Sequence, residues 1–508
     1  MGREQSERRV ERWGIFEAAL RGPRGGDPFE DVRLSARFEQ EAGEGAGEGG
    51  SGPAVSVSGF YDGDGVYRIR FMPEHEGRWR YRSSSNVPEL DGKTGELLCT
   101  PASPGDHGPV RVAGRHHFSY ADGTPFFVLG TTAYVWSYRP EEIRRQTLES
   151  FSRNGFNKIR MLFLPKHYGD GKNVDISYDP PALPFEGKPG KLDFRKFNVE
   201  YFRSFEERLR ELQQRGIEAD VILFHFYDFG HWGVDVGMSR EDDLFFVRYL
   251  LARLAAFRNV WWSLANEYEL LVTEGGQLRS VLDRKDWDAL GRLLCEEDPY
   301  GHLRSVHNFP FGVIFPDHPW LTHVSYQHPN TYSLLLELKR RYGKPVIDDE
   351  YQYEGNLPTD WASCTPELEL TRHWAAVMAG GYATHGEAYK IEDNPRDIFW
   401  SYGGKMVGGS APRLGFMRRL LESLPYQQME PDVARSEGRD MFCLRKGEEL
   451  YLYFKTPAFK DGGRVWIGPA SGQGAEYEVE VWDAWNCWLH KRLTVKPGMN
   501  LLDIPPWA

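Results

Sequence analysis

Between residues 126 and 424 the chain repeats one alternation: an apolar run too short for a helix, then a longer stretch whose apolar residues recur every three or four positions. That rhythm predicts βα units around a parallel sheet. Strands are expected over 126–130, 156–163 and 218–224, in a run ending at Asn266-Glu267, over 303–306 and 322–326, in a run ending at Glu350, and over 381–385. Helices are expected over 141–153, 202–215, 242–257, 287–296, 332–342, 367–378 and 412–424. Eight such strands predict a (β/α)8 TIM barrel of the α/β class, with its site at the C-terminal strand ends.

A chain of 508 residues exceeds one ordinary core, so flanking domains are expected. From about residue 10 to 112, runs such as 55–61, 66–71 and 77–82 alternate apolar with polar, as strands with one solvated face do. A small β-sandwich follows. From about 429 the alternation returns, at 450–454 and 477–483, and implies a second small sandwich. The expected division is 1–112, 113–428 and 429–508. In the last part, Trp482, Trp485 and Trp488 are read as packing residues, with sugar contact as the alternative. The Gly/Glu/Ala run between 39 and 52 has nothing to bury and is expected as a loop. It lacks GxGxxG spacing and its negative charge repels phosphate, so no nucleotide site is assigned.

The formal net charge of -12 gives no general attraction for nucleic acid or an anionic membrane. No stretch is apolar for long enough to span a bilayer. Cys99, Cys295, Cys364, Cys443 and Cys487 are scattered and lack metal-ligand spacing, so neither a disulfide framework nor a zinc site is expected. The charged start is not followed by an apolar run, which leads to the expectation of a cytoplasmic protein. Aromatic residues make up 14% of the chain, enough to fill β cores and still face sugar rings.

Two segments share one grammar. Trp261 to Ala265 is a short apolar run ending in Asn266-Glu267, and Val346-Ile347 runs into Asp348-Asp349-Glu350. Two glutamates at strand ends of one barrel are what double-displacement glycoside hydrolysis needs, one to protonate the leaving oxygen and one to attack the sugar. Such carboxyl groups stand roughly 5 to 5.5 Å apart. His225, Tyr227, Asp228, His307, Asn308 and His328 lie at or just beyond strand ends and are expected to line the pocket. Trp136 is a candidate sugar platform. Strand alternation places Asp348 on the face of Glu350 and Asp349 toward the helices. Two other classes stay open: a metal-dependent barrel hydrolase using His225, His231 and His385, and a carbohydrate-binding protein without catalysis.

The ordered set of Asn266-Glu267 ending strand four and Glu350 ending strand seven, with an arginine in strand two and a tyrosine in strand six, resembles the clan A glycoside hydrolases. The order of an Ig-like β-sandwich, a barrel and a small β-domain is similar to that of bacterial endoglucanase- or cellulase-like glycosyl hydrolases. The barrel motif covers about 126–424, and the domain order nearly the whole chain. The resemblance implies that Glu267 is the general acid/base and Glu350 the nucleophile, with no cofactor. It implies that Asn266 binds a sugar hydroxyl, and that Arg160 and Tyr326 support Glu350. The chain departs from the pattern at Tyr268, where many relatives have proline. It departs again at the end of strand eight, where His385 and Glu387 stand in place of tryptophan and Trp400 becomes the platform candidate. An exo-acting or oligosaccharide-trimming enzyme is expected, with an endo-acting β-glucanase as the alternative.

Overall fold

The computed structural model describes residues 8–41, 52–167, 179–228, 230–274, 277–391, 398–436, 441–454, 463–467 and 476–502. Most of the Gly/Glu/Ala run lies outside the described residues.

Eight parallel strands form the centre: β1 Gly130–Thr132, β2 Lys158–Leu162, β3 Glu218–Phe224, β4 Val260–Ala265, β5 Arg304–Ser305, β6 Val324–Tyr326, β7 Val346–Asp348 and β8 Tyr382–His385. Their order is β5-β4-β3-β2-β1-β8-β7-β6. The barrel is nearly closed. At its seam the Thr322 N–H donates to the Arg304 carbonyl (3.0 Å) and the Arg304 N–H to Thr322 Oγ1 (2.7 Å).

The helices are α1 Glu141–Asn154, α2 Val199–Gln213, α3 Arg240–Leu254, α4 Trp287–Glu297, α5 Thr331–Tyr342, α6 Pro366–Met378 and α7 Ser410–Glu422. Their ends are set locally. Ser239 and Asp242 form a capping box at α3, Thr365 followed by Pro366 starts α6, and left-handed Gly155 and Gly343 stop α1 and α5. The connection from β5 to β6 contains no helix, so the fifth unit is a strand without its cover.

Strand one is displaced from its expected place. Pro125–Phe126 pairs antiparallel with His117–Tyr120, which pairs with Val110–Ala113, and the barrel strand begins only at Gly130. The apolar residues Phe126 to Leu129 are buried because they floor the barrel. Phe118 packs on Trp261 (5.3 Å) and Tyr382 (5.4 Å) from the same small sheet. Burial alone does not distinguish a floor from a strand.

The N-terminal part is a folded seven-stranded sheet. Ala54–Tyr61 pairs with Leu34–Gln40 through its first half and with Val66–Phe71 through its second, so one strand belongs to both layers. Phe16, Phe38, Phe71 and Tyr81 meet between the layers. Its seam with the barrel is ionic. Arg70 reaches Glu206 (2.7 Å) and the Arg253 carbonyl (2.7 Å), while Arg253 reaches Glu206 (2.6 Å) and Asp62 (2.9 Å), all buried.

Beyond α7, Met441–Lys446 pairs with Glu430–Pro431 and Glu449–Phe454, and Tyr477–Asp483 pairs with Trp488–Val495. Tyr332 stacks on Phe442 (4.3 Å) and Trp374 on Tyr453 (5.0 Å). Trp485 lies under the Arg413 guanidinium at 3.6 Å, and Trp482 packs on Phe416 at 6.0 Å. Trp485 and Trp482 therefore contact the barrel, although Trp482, like Trp488, is exposed. Among the described residues, no helix is long and apolar enough to cross a membrane.

The seam yields a stability test. Arg70→Ala leaves Glu206 buried with one cation fewer, an expected loss of about 3–5 kcal/mol in urea denaturation. Arg37→Ala, which breaks an exposed pair with Glu39, should cost less than about 1 kcal/mol.

Candidate active site

Beyond Ala265 the chain turns sharply, because Glu267 holds a left-handed backbone with φ 52°. The Asn266 N–H still donates to the Phe224 carbonyl (3.1 Å) and the Tyr268 N–H to that of His307 (3.1 Å), so the turn is pinned on both sides. Glu350 follows β7 by two residues. Its Oε1 accepts from Arg160 Nη1 (2.6 Å), from the Tyr134 hydroxyl and from Asn266 Nδ2 (3.4 Å), with His307 Nε2 3.7 Å away. The Glu267 carboxylate instead accepts from Gln327 Nε2 (2.8 Å) and from the Tyr227 hydroxyl.

These partners split the two acids. Burial and the neighbouring charge of Glu350 push Glu267 up to about 7. Burial pushes Glu350 up as well, but Arg160, His307 and the Tyr134 hydroxyl outweigh it and hold the carboxyl below its ordinary value. At neutral pH one glutamate keeps a large protonated fraction while the other is ionised.

Asn266 joins the halves of the site. Its Oδ1 accepts from Arg160 Nη2 (2.5 Å), and its Nδ2 reaches Tyr134 (3.0 Å) and Tyr227 (2.6 Å). Arg160 is fixed from below by a buried array in which Lys158 Nζ bonds Asp220 (2.9 Å) and Asp349 (3.0 Å), with Arg160 Nε 3.9 Å from each acid. Asp349 also accepts from Ser325 (2.6 Å) and Thr384 (2.5 Å). His307 Nδ1 meets Ser325 Oγ at 3.0 Å, and burial beside Arg160 lowers the imidazole to about 3, so it is neutral.

Of the expected residues, Glu267, Glu350, Arg160, Asn266, Tyr227 and His307 converge. Trp400 stands edge-on to Tyr134 (5.5 Å) and is half-buried on the same side. Asn308 and His328 are one step out, since Asn308 braces Gln327, and His328 carries its ring toward Phe311 (5.0 Å). Asp228 accepts from the His167 N–H (2.8 Å), and His225 lies stacked on Tyr227 (5.5 Å) with its Nε2 on the Pro165 carbonyl (3.1 Å).

Five residues are placed elsewhere. Tyr326 donates to the Thr331 carbonyl (3.3 Å), away from Glu350, because its strand position points outward to α5. Asp348 shares that outer side, near Tyr326 and the His328 N–H (3.4 Å), and burial raises its carboxyl well above the usual range. β7 ends at Asp348, so alternation does not carry through, and Asp349 and Glu350 both turn inward. Trp136 is fully buried and donates to the Arg144 carbonyl (3.3 Å), as a single-turn helix takes its ring into the core. His385 is buried against Thr131 (3.0 Å). Glu387 accepts the Val407 and Gly408 N–H groups (2.6 and 2.9 Å), which makes it a loop clamp.

Three site residues escape the sequence reading: Tyr134, Gln327 and Lys166. Tyr134 follows β1 by two residues, so a correctly placed first strand would have nominated it. Lys166 Nζ lies 4.1 Å over the Tyr227 ring, 5.3 Å from Trp400 and 5.4 Å from Tyr134. Burial lowers its ammonium to about 8, opposed by Asp228, Glu267 and Glu350. Among the described residues, neither His225 nor His385 belongs to a group of three ligand-type side chains. Among the described residues the group able to hold a cation is His167, Asp179 and His231.

A family model described as apiosidase-like, catalytic domain, matches residues 112–428, and one for a domain of unknown function (DUF5060) matches residues 9–86. The chain matches the crystal structure of an inferred glycoside hydrolase from Bacteroides vulgatus at 34% identity and TM-score 0.82, over 98% of each chain. A family 5 glycoside hydrolase from the same organism shares the fold at 16% identity and TM-score 0.59, over 78% of this chain and 90% of that one. No curated protein matches the sequence.

The array beneath Arg160 gives a prediction with a definite sign. Burial alone would raise Asp349, but Lys158 and Arg160 hold it far below the ordinary value. Its stabilisation is therefore complete above the unfolded-state value of about 3.9 and fades as pH falls below it. Asp349→Asn should cost about 3–5 kcal/mol at pH 7, and the gap from the unaltered protein should narrow as denaturation is repeated toward pH 3.5.

Proposed function

From the premise that the chain belongs to the apiosidase-like catalytic-domain family and shares its architecture end to end with an inferred glycoside hydrolase, we propose that it is a retaining glycoside hydrolase. Glu350 is the nucleophile and Glu267 the acid/base. The observation that carries this reading is the unequal environment of the two glutamates. Glu350 takes a guanidinium, a phenol and an amide on one oxygen, whereas Glu267 accepts from the Gln327 amide and the Tyr227 phenol, with the Lys166 charge a lesser influence.

In the first step Glu350 attacks the anomeric carbon while Glu267 protonates the departing oxygen. A glycosyl ester on Glu350 results. In the second step Glu267 accepts a proton from water, whose oxygen attacks the same carbon and frees Glu350. Arg160 and Tyr134 disperse the nucleophile's charge before and after the ester forms. Asn266, already bonded to Arg160 and to both tyrosines, is placed to meet a sugar hydroxyl, and the Tyr134–Trp400 side supplies aromatic surface for the ring. The steps need neither metal nor organic cofactor.

The substrate is a carbohydrate, and the family's description puts apiosides in the first panel. We retain an exo-acting or trimming mode, which the lengths of the products released from a defined oligosaccharide test. The N-terminal folded sheet is assigned as an Ig-like sandwich, with the chain divided at 1–112, 113–428 and 429–508.

Glu350→Ala should abolish turnover on every substrate cleaved by the unaltered protein. Glu267→Ala should slow hydrolysis on the order of 10²–10⁴-fold, with azide restoring part of the rate on an activated aryl glycoside. Near-normal rates in either variant would refute the assignment.

The pH dependence is set by the same pair. Activity requires Glu267 protonated and Glu350 ionised, so kcat/KM should fall as pH rises through about 7. On the acid side it should hold until pH drops below the ordinary carboxylate range, because Arg160 keeps Glu350 charged. A profile that rises through pH 7 would exchange or remove these roles.

A further inference from the structure

The loops after β2 and β3 bring three ligand-type side chains together beside the cleft. His167 presents Nδ1 3.0 Å from Asp179 Oδ1, and its ring stacks on His231 with centroids 3.5 Å apart and planes 4° from parallel. One donor atom from each of the three residues lies within 4.8 Å of the others. The backbone fixes two of them through one residue: the His167 N–H donates to Asp228 Oδ1 (2.8 Å) and the His231 N–H to the Asp228 carbonyl (2.9 Å). Trp232 stands edge-on to both rings, at 5.9 and 4.5 Å. Two imidazoles stacked this closely repel if both are charged. Burial and the proximity of His167 lower His231, which leaves a lone pair for a ligand at neutral pH.

We propose that His167, Asp179 and His231 form a binding site for a borderline divalent cation of the zinc type, tying the loop after β2 to the loop after β3. Two imidazoles and one carboxylate are a donor set that suits such ions, whereas hard cations take oxygen alone. Tetrahedral bonds of about 2.0–2.1 Å place donors about 3.4 Å apart, and because each lone pair lies in its ring plane, closure needs the parallel rings to rotate out of their stack until both lone pairs meet at one point. His231 is exposed and free to supply it. The outer positions remain open to water. The site stands apart from the two glutamates, and hydrolysis does not pass through it. Its consequence is positional, since Lys166 precedes one ligand and Tyr227 and Asp228 precede another.

The test uses the full-length protein, stripped with chelator and titrated calorimetrically with Zn²⁺ at pH 7.5 in a non-coordinating buffer. One equivalent should bind. Affinity should fall about tenfold or more in His231→Ala and in His167→Ala, and also as pH is lowered, because protons compete with the ion for its donor atoms. His231→Ala alters an exposed side chain, so an unchanged Tm without metal confirms its fold. Absence of binding, or binding that both histidine substitutions leave intact, overturns the proposal. Glu350→Ala should still bind zinc, so failure of the hydrolase reading and failure of this one give different results.

Discussion

The barrel is held around charge. Lys158, Arg160, Asp220 and Asp349 lie fully inside it, each at most about one-fiftieth exposed, with Glu350 at the upper edge. Removing such groups from water costs several kcal/mol each, and only close pairing with full hydrogen bonding recovers it. Neighbouring strands supply the pairing by register, although Arg160 Nε and Asp220 Oδ1 lack a hydrogen-bond partner among the described residues. Arg160 pairs with Asp220 across β2 and β3, and with Thr132 across β1 and β2, so the guanidinium is fixed by backbone as well as by side chains. Arg160 is thereby committed to one glutamate. The chemical difference between Glu350 and Glu267 descends from that commitment, because burial raises both alike.

Asn266 carries the constraint across the cleft. An amide can donate and accept at once, and here it accepts from the arginine of β2 while donating toward hydroxyls that follow β1 and β3. The next residue takes the left-handed turn. A non-glycine residue there costs roughly 1–2 kcal/mol, and the Asn266, Tyr268 and Leu270 backbone bonds that bracket it offset the strain. The turn swings Glu267 away from Arg160 and onto Gln327. Had the chain continued as a strand, both acids would have competed for one cation.

The parts legible in the sequence were those where local pattern and tertiary role agree. β3 is buried on both faces and ends in the apolar run Val221 to Phe224 after Glu218 and Asp220, and its observed bounds are those of the pattern. Asn266-Glu267 and Glu350 announce themselves because polar residues follow such runs directly. Errors arise where a pattern has two physical causes. Phe126 to Leu129 is apolar because it lies on the barrel floor, and placing strand one there pushed attention past Tyr134 to Trp136. At β7 the periodic rule stops with the strand, so Asp348 and Asp349 exchanged faces. The phenol expected from Tyr326 is supplied by Tyr134, more than 200 residues from Glu350 in sequence, a distance across which local pattern carries no information.

The cleft's aromatic wall follows a different logic from its acids. The Tyr134 N–H donates to the Trp400 carbonyl (3.1 Å) and the Val135 N–H to that of Ser401 (2.9 Å), so the residue that serves Glu350 also suspends the neighbouring tryptophan. Farther along, Glu387 takes the Val407 and Gly408 N–H groups, and Glu354 takes those of Gly409 and Ser410 (2.6 and 2.9 Å) at the start of α7. Buried carboxylates from the loops after β7 and β8 thus clamp the segment leading into the last helix. Arg160 and the two glutamates stand on or beside strands whose register fixes them, while Trp400 hangs from loops clamped by hydrogen bonds. Loops tolerate change that strands do not. The wall can therefore be reshaped without disturbing the pairing of Arg160 with Glu350, which strand register holds.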